Sequence, residues 1–431
     1  MKRRRATVDW ARLNHILLPE GRTGRDDVRQ SRTGRLLSPV FGIYGSLTDE
    51  GRFLFVLTLL IAGASLDVRR SDAHVLLCLL GAFIYASLAM SRAFKLEGVR
   101  LSVIAPPRVT VGEPITFTLE VAGAVDRAYY GLRVRGPFLP WDGRWVTPRP
   151  TLPALGPGET VRVDVKARFT RRGEHELDPF EVAAAVPLGL TVGPRVESGG
   201  TGFLVVPRIA NVGHVTTPRG RRHQPGGVIL ASKTGESMDL LGVRPYRPGD
   251  PARDLHARSW ARTGSPVVRE YQEEYFSRVG VVVDTDQTVT DEAGIEAALS
   301  LAAGVVAQLS RGEALIDLLV VGEDLHSLTL GRSLGFLEQA LDLLACVTPG
   351  GPPSPDALLR RLGPHLPRLS SVVFIALAWD EPRRELSERI RGFGVGCSVI
   401  LIRAPGISAP GSAGFTSVTK ENVMRGERLS L

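Results

Sequence analysis

The residues best suited to chemistry in this chain are oxygen donors placed at the ends of apolar runs. Val279–Val283 leads into Asp284-Thr-Asp286-Gln-Thr288, Thr348 opens a Pro/Gly-rich loop, and Asp380 closes the run SSVVFIALAWD. In an open α/β sheet, ligands bind at the carboxyl ends of strands, which is where these side chains fall. Hard oxygens in that position suit Mg²⁺, which takes six oxygens and keeps several waters. The same aspartates also suit a second role, ending a strand and capping the helix behind it. Both readings stand on the residues alone.

A second concentration of charge lies in GESMDLLGVRPYRPGDPARDLHARSWARTGSPVVREYQEE, residues 235–274. Pro248-Gly249-Asp250 reads as a tight turn: proline presets φ, glycine accepts a positive φ, and aspartate bonds its own backbone. Around it stand Arg244, Arg253, Arg258, Arg262 and Arg269, with Glu236, Asp254, Glu270, Glu273 and Glu274 as available mates. One reading is an arginine-lined surface for an acidic partner or a phosphate. The other, which the equal density of opposite charges favours, is a salt-bridged lid packed on a sheet. Arg247 has no evident mate.

No phosphate loop, dinucleotide fingerprint, H-E-x-x-H zinc motif or G-x-S-x-G elbow occurs. The eight histidines are scattered, and Cys78, Cys346 and Cys397 form no C-x-x-C pair. With no nucleophile–base pair in view, no catalytic residue is assigned and a binding role is expected. Two rivals remain. A metal-dependent hydrolase would use Asp284, Asp286 and Asp380; a nucleic-acid binder would use the basic N-terminal arm, against the acidic residues interleaved after Arg269.

Strands alternate with helices from residue 277 onward. VGVVVDTD, ALIDLLVV, SSVVFIALAWD and CSVILIR are apolar throughout, as buried parallel strands are. Helical spacing is evident in 292–309, SLGFLEQALDLLACV, 355–366 and EPRRELSERIRGF. Between 97 and 207, VRLSVIA, PITFTLEV, YYGLRVRG, VRVDVKARF and GFLVVP alternate apolar with polar residues, the pattern of an antiparallel β-sandwich. The expected order is a basic arm (1–52), a transmembrane helical hairpin (53–92), the sandwich (97–207), a linker (208–234), the arginine-rich segment (235–276), the α/β domain (277–405) and a tail (406–431).

Residues 1–52 carry 11 Lys/Arg against 6 Asp/Glu, more than half of the chain's net charge of +8. Phe53–Leu66 has no charge, and Ala73–Met90 has only a histidine near its edge. At about 1.5 Å per residue the second run spans roughly 27 Å, close to the hydrocarbon thickness of a bilayer. The first needs Arg52 to reach back to the interface. Basic residues precede the first run and follow the second at Arg92, Lys95 and Arg100, so positive-inside reasoning puts both soluble parts in the cytoplasm. The arm then lies against anionic headgroups and calls for no nucleic acid.

Two resemblances follow from these residues. The Asp284-x-Asp286-x-Thr288 loop with Thr348 and Asp380 resembles von Willebrand factor A domains, whose metal-ion-dependent adhesion site uses a D-x-S-x-S loop, a later Thr and a later Asp. That implies a Rossmann-type α/β parallel sheet and Mg²⁺ held by Asp284, Asp286, Thr288, Thr348 and Asp380. The departure is Asp286 where the family has Ser, which adds negative charge beside the cation. The 235–262 segment resembles the family called domain of unknown function 58, matching Gly235, Glu236, Arg244, Tyr246, Pro248, Gly249, Asp250, Arg253, Ala261 and Arg262. The family's Trp is displaced, since Ala257 follows His256 and Trp260 comes three residues later. Arg171–Leu177 matches the family's R-R-G-x-[YH]-x-[LF], and Val186-Pro187-Leu188-Gly189-Leu190 alters its D-P-L-G-L. The resemblance spans roughly residues 50–410. It implies a bacterial inner-membrane, multi-pass, non-catalytic adaptor whose partner is a MoxR-type AAA+ ATPase or that ATPase's client.

Overall fold

The computed structural model describes residues 43, 45–64, 71–147, 150–217, 240–271, 278–311, 315–321, 325–330, 335–351, 355–403 and 415–431. Most of the basic arm, the link between the apolar runs, most of the linker, and Gly235, Glu236, Glu273 and Glu274 lie outside the described residues. The chain folds as two units, Met1–Val206 and Pro207–Leu431.

Unit 1 opens with helices α1 (Asp49–Ala64) and α2 (Ser71–Ser91), packed on each other. Their apolar residues face outward: Phe53 is 71% exposed, Leu60 68% and Tyr85 75%. Strands β1 (Arg100–Ile104), β2 (Arg108–Thr110), β3 (Pro114–Ala122), β4 (Tyr129–Arg135), β5 (Gly143–Trp145), β6 (Thr151–Leu155), β7 (Thr160–Phe169), β8 (Gly173–Leu177), β9 (Glu181–Ala184), β10 (Val196–Glu197) and β11 (Thr201–Val206) follow. They form sheets of order β1-β3-β7-β5, β10-β9-β4-β6 and β2-β11-β8, antiparallel throughout except for the β2–β11 pair. The period-two pattern has the expected consequence. Ile115, Phe117, Leu119 and Val121 of β3 are buried, and they meet Val165, Ala167 and Phe169 of β7 in one core. Phe117 packs on Phe180 and Phe203, with ring centres 5.5 and 5.7 Å away.

One turn ties the helices to these sheets. Leu188 and Gly189 both take positive φ (72° and 66°), a backbone that leucine adopts at a cost. The turn they make lets residues 189–193 meet both helices. Thr48 Oγ1 donates to the Gly189 carbonyl at 2.6 Å, and the Thr48 amide donates to the Leu190 carbonyl at 3.0 Å. Thr191 and Ser87 share a buried hydroxyl contact of 2.6 Å, placing the start of α1 and the end of α2 at the same turn.

Unit 2 contains β12 (Val212–His214), β13 (Leu240–Pro245), α3 (Ala257–Thr263), β14 (Val267–Tyr271), β15 (Arg278–Asp284), α4 (Glu292–Ser310), β16 (Leu315–Val321), β17 (Leu325–Leu330), α5 (Gly335–Cys346), α6 (Pro355–Leu362), β18 (Ser371–Ala376), α7 (Glu381–Gly392), β19 (Gly396–Arg403), β20 (Phe415–Thr419), α8 (Lys420–Arg425) and β21 (Leu429–Ser430). Its main sheet has the order β17-β16-β15-β18-β19-β20. Leu358, Leu362, Leu386 and Ile390 of α6 and α7 share a core with Val282, Phe374 and Val399 of that sheet.

The expected architecture needs correcting in two respects. The multidomain arrangement ending in a parallel von Willebrand factor A-like sheet is not what forms. The chain is β-rich, with several antiparallel sheets, and its largest sheet is mixed because β17 runs antiparallel to β16. The physical reason is the connection: the three residues between β16 and β17 leave no room for a crossover helix, so the chain must turn straight back. The expected pair of N-terminal transmembrane helices also changes. Two helices of the described residues are long and apolar enough to cross a membrane, α2 with its continuation to Phe94, and α4. The second is mostly buried within unit 2, as a core helix is. Helix α1, with 16 residues, falls short of the roughly 20 a spanning helix needs.

Candidate functional site

The strand-end carboxylates do converge, and what they converge on is an arginine. Gly280, Val282 and Asp284 alternate onto the face of β15 that meets α6 and α7. Asp284 therefore ends the strand on the side where α7 begins. Asp380 is the N-cap of α7 and accepts from the Arg383 amide at 3.3 Å. The first turn of the helix then carries the Arg383 side chain inward to complete burial.

Each nitrogen of that guanidinium has a carboxylate. Nε donates to Asp284 Oδ2 at 2.6 Å, Nη2 to Asp286 Oδ2 at 2.9 Å, and Nη1 to Asp380 Oδ2. The remaining oxygens are also taken. Asp284 Oδ1 accepts from the Asp286 amide at 3.1 Å and its Oδ2 also from the Leu377 amide at 3.2 Å. Asp286 Oδ1 accepts from the amide and hydroxyl of Thr288 at 2.9 and 2.7 Å. Asp284 and Asp286 are 2% and 1% exposed, whereas the Asp380 side chain is 40% exposed. Burial alone would raise the Asp286 carboxyl, but the hydrogen bonds from Thr288 and Arg383 outweigh it and hold its pKa below the usual range. Burial works against the charge on Arg383 too, and Asp284, Asp286 and Asp380 together raise its pKa above the ordinary value.

Thr348 stands apart. It is exposed and makes no hydrogen bond to the cluster. Its loop is held two residues later, where the Gly350 amide donates to the Thr285 carbonyl and the Gln287 amide donates to Gly350, both at 3.1 Å. Of the five residues expected around a cation, four surround or brace the guanidinium and one lies outside. Arg383 is the residue that the sequence reading missed. Its signal was electrostatic, since Arg383 and Arg384 occupy the positive end of a helix, where basic residues are normally disfavoured.

The fit to Mg²⁺ fails on this geometry. All six oxygens of the three carboxylates already accept hydrogen bonds, and a guanidinium sits where the ion would be. Among the described residues, no group of three or more His, Cys, Asp or Glu is arranged to hold a metal.

The arginine-rich segment forms a small unit of its own. Strands β13 and β14 pair antiparallel, and α3 and the turn before it pack on β14. The turn has the predicted form: Pro248 and Gly249 are its centre, Gly249 has φ of 105°, and the Asp250 amide donates to the Arg247 carbonyl at 3.0 Å. Arg244 clamps Asp250 through two hydrogen bonds of 2.7 and 2.8 Å, and the Arg247 amide adds a third of 2.8 Å. These contacts, Arg244 first, lower the Asp250 pKa to about 2. So Arg244, Pro248, Gly249 and Asp250 shape the turn.

The others face outward. Tyr246, Arg247, Arg253, Arg258, Trp260, Arg262 and Arg269 are exposed, and of these arginines only Arg253 has an ion-pair partner among the described residues, Asp254 at 3.9 Å. Val243 lies opposite Arg269 on the ladder and shares its exposed face; Val268, opposite Arg244, is buried.

No family model matches the chain, and no curated protein matches it. Among solved structures, it is similar to an Escherichia coli α2-macroglobulin spanning domain MG7 to the C-terminus, at 18% identity and a TM-score of 0.21. That match covers 27% of this chain and 17% of the macroglobulin chain. The CARDB domain of a Pyrococcus furiosus protein, in complex with di-metal ions, gives 14% identity and a TM-score of 0.16, over 25% of this chain and 91% of that one. The Pseudomonas fluorescens alkylpurine DNA glycosylase AlkC, bound to DNA with an abasic site analogue, gives 14% and 0.19 over 42% and 55%. At such scores these likenesses carry no argument.

Proposed function

We propose that this chain is a membrane-anchored, non-catalytic docking protein, and that the β13–α3–β14 segment is what its protein partner grips. The observation that carries this is the exposed basic and aromatic surface of that segment. Arg258 and Arg262, four residues apart on α3, share one helix face with no acidic mate in reach among the described residues. Arginine, tyrosine and tryptophan are the residues on which protein interfaces concentrate their binding energy. An acidic protein surface is the complement such a patch fits.

Anchoring falls to α2, the apolar helix of spanning length, with the shorter α1 packed beside it. The start of α1 and the end of α2 meet at one turn, and the basic residues flanking the pair support a cytoplasmic position for that turn. The sequence resemblance to domain of unknown function 58 supports a MoxR-type AAA+ ATPase as the partner. Co-purification of the tagged full-length protein from native membranes in mild detergent tests the reading. Recovery of an AAA+ ATPase that is lost in Arg258→Glu/Arg262→Glu supports it. Recovery unchanged by that variant and by Trp260→Ala removes the segment from the interface, and salt-dependent nucleic-acid binding instead of a protein overturns the reading.

A further inference from the structure

We infer that Arg383 is the permanent cation of the strand-end cluster, so that Asp284, Asp286 and Asp380 are closed to divalent metal in the intact chain and open to it only when the guanidinium is removed. This concerns a different surface from the docking segment and stands or falls separately from it.

Three features carry the inference. The first is stoichiometry of contact: one fork of three nitrogens meets three carboxylates, one nitrogen to each. A planar guanidinium with five fixed donors satisfies such a cage in a way that a lysine's point charge does not. The second is the state of the oxygens. Every one already accepts a hydrogen bond, while Mg²⁺ needs near-octahedral oxygens at about 2.0–2.1 Å and gives up its waters reluctantly. A second cation would have to enter beside a guanidinium that is fully buried and already bonded to all three carboxylates. The third is how the cation is delivered. Arg383 lies three residues after Asp380, so the N-cap that starts α7 also aims the guanidinium at the cage. The residues bonded to it come from the end of β15, the loop that follows and the N-terminus of α7, while Leu377 after β18 braces Asp284. The arginine thus fastens together loops that an exchangeable ion would otherwise join and release.

The cluster carries three carboxylates for one guanidinium. Taking the guanidinium away leaves a compact set of oxygens, with the Thr288 hydroxyl beside it, whose unbalanced charge attracts a cation. The wild type is therefore expected to ignore metal, and Arg383→Ala to acquire it.

The test uses full-length protein in detergent, stripped of metal, titrated with Mn²⁺ and followed by loss of the free-ion electron paramagnetic resonance signal. Thermal unfolding is recorded in parallel in millimolar MgCl₂ and in EDTA. The wild type should show no saturable Mn²⁺ site lost on Asp284→Asn and no shift of unfolding midpoint between the two buffers. Arg383→Ala should show one saturable site and a midpoint that rises with Mg²⁺. Arg383→Lys, which keeps a cation, should remain closed to Mn²⁺. Should Arg383→Ala fail to fold, Arg383→Gln/Asp380→Asn keeps the buried aspartate pair with less uncompensated charge, and is expected to take up Mn²⁺ more weakly. Saturable Mn²⁺ binding by the wild type that Asp284→Asn abolishes would overturn the closed site. A folded arginine-free variant that takes up no Mn²⁺ would overturn the opening.

Discussion

Nη2 of Arg383 donates to Oδ2 of Asp286 at 2.9 Å, and water reaches neither side chain. Asp286→Ala leaves Nη2 of Arg383 buried without its acceptor, while Asp284 and Asp380 still neutralise the guanidinium through its other nitrogens. The variant should therefore cost about 1–3 kcal/mol in chemical denaturation, the penalty of one unsatisfied buried donor. High salt should leave that cost nearly unchanged, since screening does not reach a buried pair.

Acid should weaken the same cluster. The folded Asp286 carboxyl sits below its ordinary value of 3.8, so its contribution is complete above that value and fades as pH falls through the lower folded one. The unfolding midpoint should drop more steeply below about pH 4 in the wild type than in Asp286→Asn. Equal slopes would show that this carboxylate is not what acid attacks.

His175 gives unit 1 the opposite dependence. Its Nε2 lies 3.0 Å from Asp142 Oδ2 and its Nδ1 3.0 Å from the Gly173 carbonyl, with the ring stacked on Phe203. Burial works to lower its pKa, but the hydrogen bonds with Asp142 and the Gly173 carbonyl and the negative charge of Asp142 together outweigh it, and the net shift is above 6.5. Stability from this pair is complete below about pH 6.5 and is lost as pH rises through the raised folded value. Unfolding measured from mildly acidic to mildly alkaline buffer should show that loss, and His175→Gln should flatten it.

Cys397 is buried, and burial pushes its thiol up to about 11, whereas Cys346 is exposed. Maleimide applied to the folded protein should modify Cys346 and spare Cys397 until denaturant is added.

Gly51 has no room for a side chain, since a Cβ there would stand 2.0 Å from the Leu190 carbonyl oxygen. Gly51→Ala should push α1 off the turn and destabilise unit 1 by about 1–3 kcal/mol, as overpacking does. Leu188→Asn should act in the other direction by up to about 1 kcal/mol, by relieving a left-handed leucine. Thermal unfolding of the two variants side by side checks both signs.

What could be read from the sequence was what depends on local pattern. The valine run of β15 announced a buried strand, and its terminal aspartates announced charged groups gathered at its end. The alternation of β3 and β7 announced a half-buried ladder, and the Pro-Gly pair at 248–249 announced its turn. What escaped depended on distant residues. Arg383 meets Asp284 across 99 positions, and a run of arginines on a polar helix looks like solvated surface. Strand β17, Leu-His-Ser-Leu-Thr-Leu, escaped because it is short and its leucines hold no strict alternation, and with it went the mixed character of the main sheet. The lid reading of 235–274 weighed every acidic residue as a mate, whereas Arg258, Arg262 and Arg269 reach none among the described residues.

The turn at 186–193 has a mechanical consequence. It grips α1 through Thr48 and α2 through Ser87, so hairpin and strands share one joint that resists bending at either helix alone. In the membrane-anchored reading proposed above, a tilt of α2 to match the bilayer's thickness would pass through that joint to the strands of unit 1, so that lipid composition would bias the direction in which they point.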